Sequence, residues 1–226
     1  GPMLQAADLA PYIDHTLLKP EASEADILKL CDEAIRHRFK AVCVNPVHVR
    51  ASVERLSGSS VLTACVVGFP LGASLAPVKA LEAQNAIRDG AAEIDMVLRI
   101  DLARQARWTE VEADIASVVV AASGATVKVI LETGLLTEEQ ITGACQAAER
   151  AGAAFVKTAT GFLGRGATVE DIVLMKKSCS PRMQIKASGG VKTFEQAKAL
   201  IAAGASRIGT SSGVALVSGS AAGSGY

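Results

Sequence analysis

Residues 155–166 read FVKTATGFLGRG. An apolar strand pattern begins at Phe155, and one lysine, Lys157, interrupts it before a loop rich in threonine and glycine. Burial in a strand removes water from an ammonium group and favours the neutral amine. A neutral amine attacks carbonyl groups, so Lys157 is a candidate Schiff-base lysine. The alternative is a lysine at the strand edge, whose stem covers apolar surface while its head reaches water.

The overall composition argues against nucleic acid or an anionic membrane as the main partner. The 226 residues contain 23 lysines and arginines and 23 aspartates and glutamates, and no basic run stands out. A polyanionic partner would require an excess of positive charge on one face. A small charged metabolite stays open as a ligand, because a local site needs only a few charges.

The cysteine pattern indicates reduced thiols. The five cysteines are odd in number and dispersed, and no two of them form a CxxC pair. Neither a zinc site nor a disulfide framework is therefore predicted. We expect a cytoplasmic protein that needs no metal and no cofactor. The cysteines are Cys31, Cys43, Cys65, Cys145 and Cys179.

Two long stretches without charge, 61–78 and 208–226, have the length of a membrane span. Glycine and proline break the first, and glycine, serine and alanine dominate the second, so neither is predicted to cross a membrane. No secretory signal is apparent. We divide the chain into an expression scar (1–2), one barrel domain (3–217) and a flexible C-terminal tail (218–226).

Eight short apolar runs alternate with amphipathic helical patterns, which predicts a βα repeat. The predicted strands are Tyr12–Thr16, Ala41–Asn45, Val61–Val67, Glu93–Leu98, Thr126–Glu132, Phe155–Thr158, Gln184–Ala187 and Arg207–Thr210. The predicted helices are Glu24–Arg36, Val47–Leu56, Pro77–Arg88, Thr109–Ala122, Glu138–Ala151, Val169–Lys177 and Phe194–Ala203. Predicted N-caps before acidic first turns are Ser23, Thr137, Thr168 and Thr193.

A repeated Gly-Ala dipeptide separates helix from strand at 90–91, 124–125, 152–153 and 204–205. Glycine at such a point suits a left-handed helix C-cap. Strict βα alternation implies parallel strands with right-handed crossovers. Eight units in this length predict a single-domain (β/α)₈ TIM barrel with a short N-terminal helix. An open doubly wound sheet is the main alternative, but no GxGxxG follows the first strand.

Polar residues collect at the predicted strand ends, where such a barrel has its active site. Lys128, Lys157 and Lys186 are spaced 29 residues apart, which predicts comparable places on strands five, six and seven. Strands lie about 5 Å apart, so inward-facing ammonium groups would disfavour each other's charge. One lysine pKa would then fall toward about 7–8.

Asp95 adds a carboxylate to the apolar run EIDMV (93–97). It would pair with a lysine and relay protons through bound water. A structural Lys–Asp ion pair is the alternative, and the presence of several strand lysines favours catalysis over it.

Two glycine-rich turns predict a phosphate site. SGGVKT (188–193) follows strand seven, and GTSSG (209–213) follows strand eight. The backbone N–H groups of such turns, with a following helix N-terminus, attract an anion. Loops after strands seven and eight are also the recurrent phosphate position in this barrel.

Taken together, these motifs resemble the deoxyribose-phosphate aldolase family. They keep their order along nearly the whole chain, and the KTxTGF run is specific, whereas the Gly-Gly turn is not. The matching runs are IDHT (13–16), CVNP (43–46), VGFPLG (67–72), EIDMV (93–97), KVILET (128–133), FVKTATGF (155–162), KASGGV (186–191) and GTSS (209–212).

The resemblance implies a class I aldolase that reversibly cleaves 2-deoxy-D-ribose 5-phosphate to D-glyceraldehyde 3-phosphate and acetaldehyde without metal. Lys157 would form the Schiff base, Lys186 would lower its pKa, and Asp95 would assist proton transfer with an ordered water. The implied partners are small phosphosugars and aldehydes, together with a second copy of the chain in a homodimer or higher homo-oligomer. The substrate and its phosphate would be held by Thr158, Gly161, Gly189, Gly190, Gly209, Ser211 and Ser212. Accessory residues would be Asp14, Thr16, Cys43, Lys128, Thr160 and Tyr226.

Two features bear on how far the resemblance extends. Some relatives carry a lysine directly after the glycine that matches Gly161, where this chain has Phe162. Phosphate binding would then depend more on backbone amides and on Lys192. Family members often end in a tyrosine that reaches the site as a proton shuttle, as Tyr226 would, and a disordered terminus is the alternative.

Two other functions stay open. A different phosphosugar barrel, either an isomerase or another Schiff-base aldolase such as a transaldolase, would share the fold. A non-covalent isomerase, however, has no use for lysines on adjacent strands. A sugar-phosphate-binding protein without catalysis would not need Lys157, Lys186 and Asp95 together.

Overall fold

The structure, a computed structural model, describes residues 3–219. Its centre is a closed barrel of eight parallel strands that follow one another in chain order, which confirms the predicted (β/α)₈ fold. The strands are β1 Ile13–Leu17, β2 Ala41–Val44, β3 Leu62–Val67, β4 Glu93–Val97, β5 Thr126–Ile130, β6 Phe155–Lys157, β7 Gln184–Ser188 and β8 Arg207–Thr210.

Helices surround the barrel and connect its strands. They are α1 Glu24–His37, α2 Val49–Arg55, α3 Ala76–Arg88, α4 Ile100–Arg104, α5 Trp108–Ala121, α6 Glu138–Arg150, α7 Val169–Ser178, α8 Phe194–Ala203 and α9 Gly213–Val217. The predicted short N-terminal helix is a 3₁₀ helix, Ala6–Tyr12. None of the helices within residues 3–219 is long and apolar enough to span a membrane.

The predicted helix starts are confirmed. At each one the cap hydroxyl accepts a hydrogen bond from the backbone N–H three residues later, and that residue's side chain bonds back to the cap. This capping box satisfies two donors that a helix N-terminus leaves unpaired. The caps are Ser23, Thr137, Thr168 and Thr193. The four glycines of the Gly-Ala repeat have positive φ angles, as their predicted role requires.

Several predictions about elements were wrong in detail. Tyr12 ends the 3₁₀ helix and does not begin β1. The helix predicted from Val47 starts as a separate 3₁₀ turn, Pro46–His48, before α2. Helices α4 and α9 were missed because five residues each are too few to show a helical period.

The barrel interior has an apolar side and a charged side. Cys43, Ala64 and Val66 on β2 and β3 form a small apolar cluster with Leu18. The other strands direct charged side chains inward, and the outward positions of every strand pack against the helices in the main hydrophobic core. The inward charged residues are Asp14, Glu93, Asp95, Lys128, Lys157, Lys186 and Arg207.

Phe155 forms a buried floor beneath the charged side. The Lys128 Nζ atom lies 5.8 Å from the centroid of its ring, and the Arg207 Cζ atom lies 5.0 Å from it. An aromatic face attracts cations at these distances, so Phe155 supports the charged residues above it.

A buried ion pair fixes the end of β4. Lys79 Nζ on α3 donates to both carboxylate oxygens of Asp114 on α5 at 3.0 Å and to the Val97 carbonyl oxygen at 2.9 Å. Asp114 Oδ2 also accepts the Arg99 N–H at 3.0 Å. The strand that carries Asp95 is thereby held to two helices.

Helix α6 packs closely against Trp108 at Gly143. A Cβ atom at position 143 would lie 2.2 Å from Trp108 Cζ2. Gly143→Ala improves helix propensity by about 0.5–1 kcal/mol, but overpacking typically costs about 1–3 kcal/mol. We expect the substitution to lower the free energy of unfolding in urea titrations.

The control is the same substitution in a Trp108→Leu background, where the clash is removed. There Gly143→Ala should be neutral or stabilising. An equal loss of stability in both backgrounds would contradict the packing explanation.

Candidate active site

Lys157 lies inside the barrel at the end of β6, in register with Ile130 on β5 and Lys186 on β7. Its side chain is fully buried, and its Nζ donates a hydrogen bond to Asp95 Oδ2 at 3.1 Å. The alternative of a strand-edge lysine whose head reaches water is therefore wrong.

Lys186 shares the same carboxylate oxygen. Its Nζ lies 2.8 Å from Asp95 Oδ2 and 2.6 Å from Asp14 Oδ2. Because one oxygen bonds both lysines, their nitrogens lie within about 6 Å of each other, a range in which like charges oppose one another. The predicted proximity of Lys157, Lys186 and Asp95 is present in the structure.

Lys128 lies deeper than predicted. The register pairs it with Phe155, two residues before Lys157, so the three lysines do not occupy equivalent places. The equal spacing of 29 residues counts the helix and loop residues between the strands as well. It therefore does not determine which residues of neighbouring strands pair with each other. Lys128 Nζ lies 2.8 Å from Asp14 Oδ2, 2.8 Å from Glu93 Oε1 and 3.0 Å from Asp95 Oδ1.

Arg207 and Glu93 complete the buried cluster, and sequence reasoning assigned neither of them to the site. Arg207 Nη1 lies 3.0 Å from Asp14 Oδ1 and 2.7 Å from Glu93 Oε1. Both residues lie near the N-terminal ends of their strands, away from the expected site. Residues two apart in a strand point to the same side of the sheet. Arg207 is two residues before Gly209 and Glu93 is two before Asp95, and this spacing is the sequence signal that could have placed both side chains inside the barrel.

The carboxylates of this cluster hold Lys128 and Lys186 in the charged state, and these two lysines do the same for the carboxylates. Burial acts to raise the pKa of Asp14 and Asp95, but Lys128 and Lys186 overcome it and hold both pKa values well below the usual range. Burial acts to lower the pKa of Lys186, but Asp14 and Asp95 overcome it and raise that pKa. Lys186 is thus a fixed positive charge beside Lys157.

The loop after β6 is fixed by its threonines. Thr158 Oγ1 donates to the Ser188 carbonyl oxygen at 2.8 Å and accepts the Ser188 N–H at 3.0 Å. Thr160 Oγ1 donates to Glu132 Oε2 at 2.5 Å. Burial raises the pKa of the Glu132 carboxyl. Both threonine hydroxyls therefore bond to protein groups next to the site.

A cavity of about 350 Å³ opens at the mouth of the barrel. Three of the predicted residues line it: Thr16 at the end of β1, Gly161 after β6 and Ser211 after β8. We call it the mouth cavity. Its remaining lining residues are Leu17, Leu18, Lys19 and Phe162.

Other predicted phosphate residues lie outside the lining of the mouth cavity. Gly190 lines a separate surface cavity beside α7 and α8. Gly189 is buried, and a Cβ atom there would lie 2.9 Å from Gly166 Cα. The Ser212 N–H donates to Thr210 Oγ1 at 2.9 Å.

Gly209 makes room for Lys186. A Cβ atom at position 209 would lie 2.9 Å from Lys186 Cε and 3.0 Å from Ser188 Cβ. The absence of a side chain there lets Lys186 extend to Asp14 and Asp95.

Two accessory predictions concern Cys43 and Tyr226. Cys43 is fully buried on the apolar side of the interior, and burial raises the pKa of its thiol. It does not line the mouth cavity. Tyr226 lies outside the described residues, as do residues 1–2 and most of the predicted tail.

Comparisons with known proteins agree over almost the whole chain. Residues 9–219 match the family described as DeoC/LacD family aldolase. A deoxyribose-phosphate aldolase from Streptococcus sanguinis is 53% identical, over 96% of this chain and 99% of that protein. One from Bdellovibrio bacteriovorus is 55% identical, over 96% of this chain and 99% of that protein. The tetrameric deoxyribose phosphate aldolase from Aeropyrum pernix superposes with a TM-score of 0.88 at 35% identity, covering 95% of this chain and 91% of that one.

The buried carboxylates predict a specific dependence of stability on pH. Asp14 and Asp95 have lower pKa values in the folded chain than the unfolded value of about 3.9, so they add stability above about pH 4. That stability is lost as the pH falls toward their folded pKa values. We expect the free energy of unfolding to decrease below about pH 4, and Asp14→Asn to make this decrease shallower.

Urea titrations across the acid range measure this effect. Asp14→Asn should also lower stability near neutral pH, because it leaves Lys128, Lys186 and Arg207 with one carboxylate fewer. Glu110→Gln is the control, since its ion pair with Arg107 is half exposed. Identical acid dependence in the wild type and Asp14→Asn would contradict the prediction.

Proposed function

The chain belongs to the DeoC/LacD family of aldolases, and we propose that it reversibly cleaves 2-deoxy-D-ribose 5-phosphate through a Schiff base on Lys157. The products are D-glyceraldehyde 3-phosphate and acetaldehyde. The observation that carries the proposal is a fully buried Lys157 whose Nζ shares Asp95 Oδ2 with Lys186. Relatives named deoxyribose-phosphate aldolase at 53% and 55% identity support the choice of substrate.

The fixed positive charge of Lys186 favours a neutral amine at Lys157. The two nitrogens share Asp95 Oδ2 and lie within about 6 Å of each other, a range in which a like charge disfavours the charged form of an amine. The full burial of Lys157 acts in the same direction. A neutral amine is the form that attacks an aldehyde.

The proposed chemistry uses the iminium as an electron sink. Lys157 Nζ adds to C1 of the open-chain sugar, and loss of water gives the iminium. The electron pair of the C2–C3 bond moves into the iminium as the C3 hydroxyl loses its proton, and D-glyceraldehyde 3-phosphate leaves. The remaining enamine takes up a proton at C2. Water then hydrolyses the new iminium, which releases acetaldehyde and restores the amine.

Asp95 and Lys186 serve as the proton-handling groups in this proposal. Asp95 Oδ2 accepts hydrogen bonds from both lysines and can pass a proton between them or, through water, to the substrate. Lys186 supplies the fixed positive charge that disfavours a second one on Lys157. Lys128 binds both Asp14 and Asp95, and Arg207 binds Asp14; Glu93 in turn pairs with these two cations.

The phosphate end of the substrate is proposed to lie at the mouth of the barrel. Gly161 and Ser211 line the mouth cavity and offer a backbone amide and a hydroxyl to an anion. Thr158 and Thr160 support the loop that carries Gly161. Roles for Gly189, Gly190, Ser212 and Tyr226 stay predictions.

We also infer that the chain acts in the cytoplasm as a homo-oligomer, with a dimer as its smallest form. Five cysteines that are all unpaired support a reducing compartment. The relative from Aeropyrum pernix is described as tetrameric. Leu75, the N-cap of α3, and Val78 and Leu81 within this helix are 71%, 53% and 56% exposed, and their spacing of three residues places them on one side of it.

Reductive trapping tests the Schiff base. Borohydride added with acetaldehyde should leave a stable two-carbon adduct on Lys157, identified by intact mass and peptide mapping, with loss of catalysis. Lys157→Ala should abolish both the adduct and cleavage of the phosphosugar. Lys186→Met should reduce both, because it removes the neighbouring charge, and far-UV circular dichroism checks that the variant is folded before it is assayed.

The control is Lys40→Ala, which removes an exposed lysine at the opposite end of the barrel. Adducts found only on surface lysines, or none at all, would contradict the proposed mechanism. Retention of the phosphosugar without release of acetaldehyde would indicate a binding protein.

Substitutions that introduce a negative charge test the proposed interface on α3. Val78→Glu and Leu81→Glu should shift the sedimentation mass toward that of a monomer, because a buried carboxylate in an apolar interface has no partner. Val173→Glu on α7 is the matched control, with a similar exposure of 51%. An unchanged mass in both α3 variants would place the interface elsewhere.

A further inference from the structure

One charged side chain lines the mouth cavity. Among its lining residues within 3–219, Lys19 alone carries a charge, and the others are apolar, glycine, threonine or serine. The cavity volume of about 350 Å³ suits a small metabolite. A single cation at its rim therefore determines the sign of the ligand charge that the cavity favours.

The backbone around Lys19 is fixed by hydrogen bonds. The Lys19 carbonyl oxygen accepts the Ala22 N–H at 3.1 Å. The Leu18 carbonyl oxygen accepts Asn45 Nδ2 at 3.1 Å. Helix α1 then begins directly after its Ser23 cap. The turn thus presents the Lys19 side chain from a defined position at the barrel mouth.

The ammonium group of Lys19 is available to a ligand. No carboxylate among residues 3–219 forms an ion pair with it. Arg165, in the loop after β6, differs in this respect, because it lies 2.6 and 3.0 Å from the two oxygens of Asp171. Lys29 lines the adjacent cavity together with Asp26 and Glu33.

The mouth cavity lies beyond the lysine pair, toward the C-terminal ends of the strands. Asp14 and Thr16 lie on the inward face of β1, about 7 Å apart along the strand. Asp14 bonds Lys186 at 2.6 Å, and Thr16 lines the mouth cavity. Gly161, four residues after Lys157, lines it as well. A linear substrate attached to Lys157 therefore extends toward Lys19.

We propose that Lys19 binds the phosphate of the phosphosugar and selects phosphorylated aldehydes over neutral ones. This rests on the proposed function. A phosphomonoester carries about −1.5 to −2 charges near pH 7, and a lysine ammonium binds it as a compact point charge with three donors. Gly161 and Ser211 complete the site. Lys192, which the sequence offered for this role, does not line the mouth cavity.

Steady-state kinetics on two substrates test the assignment. Lys19→Ala should raise KM for 2-deoxy-D-ribose 5-phosphate about 10- to 100-fold, with little change in kcat. This factor corresponds to the free energy of one charge-assisted hydrogen bond. KM for unphosphorylated 2-deoxy-D-ribose should not change. Lys19→Arg should retain most of the phosphosugar affinity, and Lys40→Ala should behave as wild type.

Two results would overturn the assignment of Lys19. One is an unchanged KM for the phosphosugar in Lys19→Ala. The other is an equal rise for both substrates, which would indicate a general change in the mouth and not a lost phosphate contact. If Lys192→Ala raised the phosphosugar KM in place of Lys19→Ala, the phosphate would lie beyond β7.

A separate experiment distinguishes failure of the proposed aldolase function from failure of the Lys19 assignment. If the wild type did not cleave the phosphosugar, titration calorimetry with inorganic phosphate would test Lys19 alone. Binding that is weakened in Lys19→Ala but unchanged in Lys40→Ala would support the site, and equal binding in all three proteins would refute it.

Discussion

Asp95 Oδ2 accepts hydrogen bonds from two lysines, and the charged side of the barrel depends on that sharing. Removing water from an ion is expensive, and a buried ion pair recovers that cost only when every charge has well-placed partners. Here each carboxylate contacts at least two cations. Breaking one such buried pair typically costs about 3–5 kcal/mol, so the residues of this cluster constrain one another strongly.

Stability and chemistry come from different faces of the same strands. Outward side chains of the strands pack with the helices in one continuous apolar core, which supplies most of the driving force for folding. Inward side chains are then free to be polar. Cys43, Ala64 and Val66 form the apolar side of the interior, and Cys43 lies close enough to Lys157 and Lys186 to feel their charge.

The fold and the centre of the site were predictable because their signals are local. Helix caps, Gly-Ala turns and strand patterns lie within a few residues of the structure that they determine. Lys157, Lys186 and Asp95 were found because they stand in apolar strands. Arg207 was not found, since its partner Asp14 lies 193 residues away and near the opposite terminus. The depth of Lys128 depends on strand register, and the exposure of Lys19 to the cavity depends on how three loops meet.

The floor formed by Phe155 has a kinetic consequence. With the ring and its two cations buried beneath the lysines, the site opens at one end only, and every molecule enters and leaves through the mouth. For the proposed reaction, the phosphorylated fragment lies between the mouth and the two-carbon fragment that is held on Lys157. The phosphorylated product must therefore depart first in cleavage, and in synthesis acetaldehyde must bind first, so the order of binding is set by the architecture of the barrel.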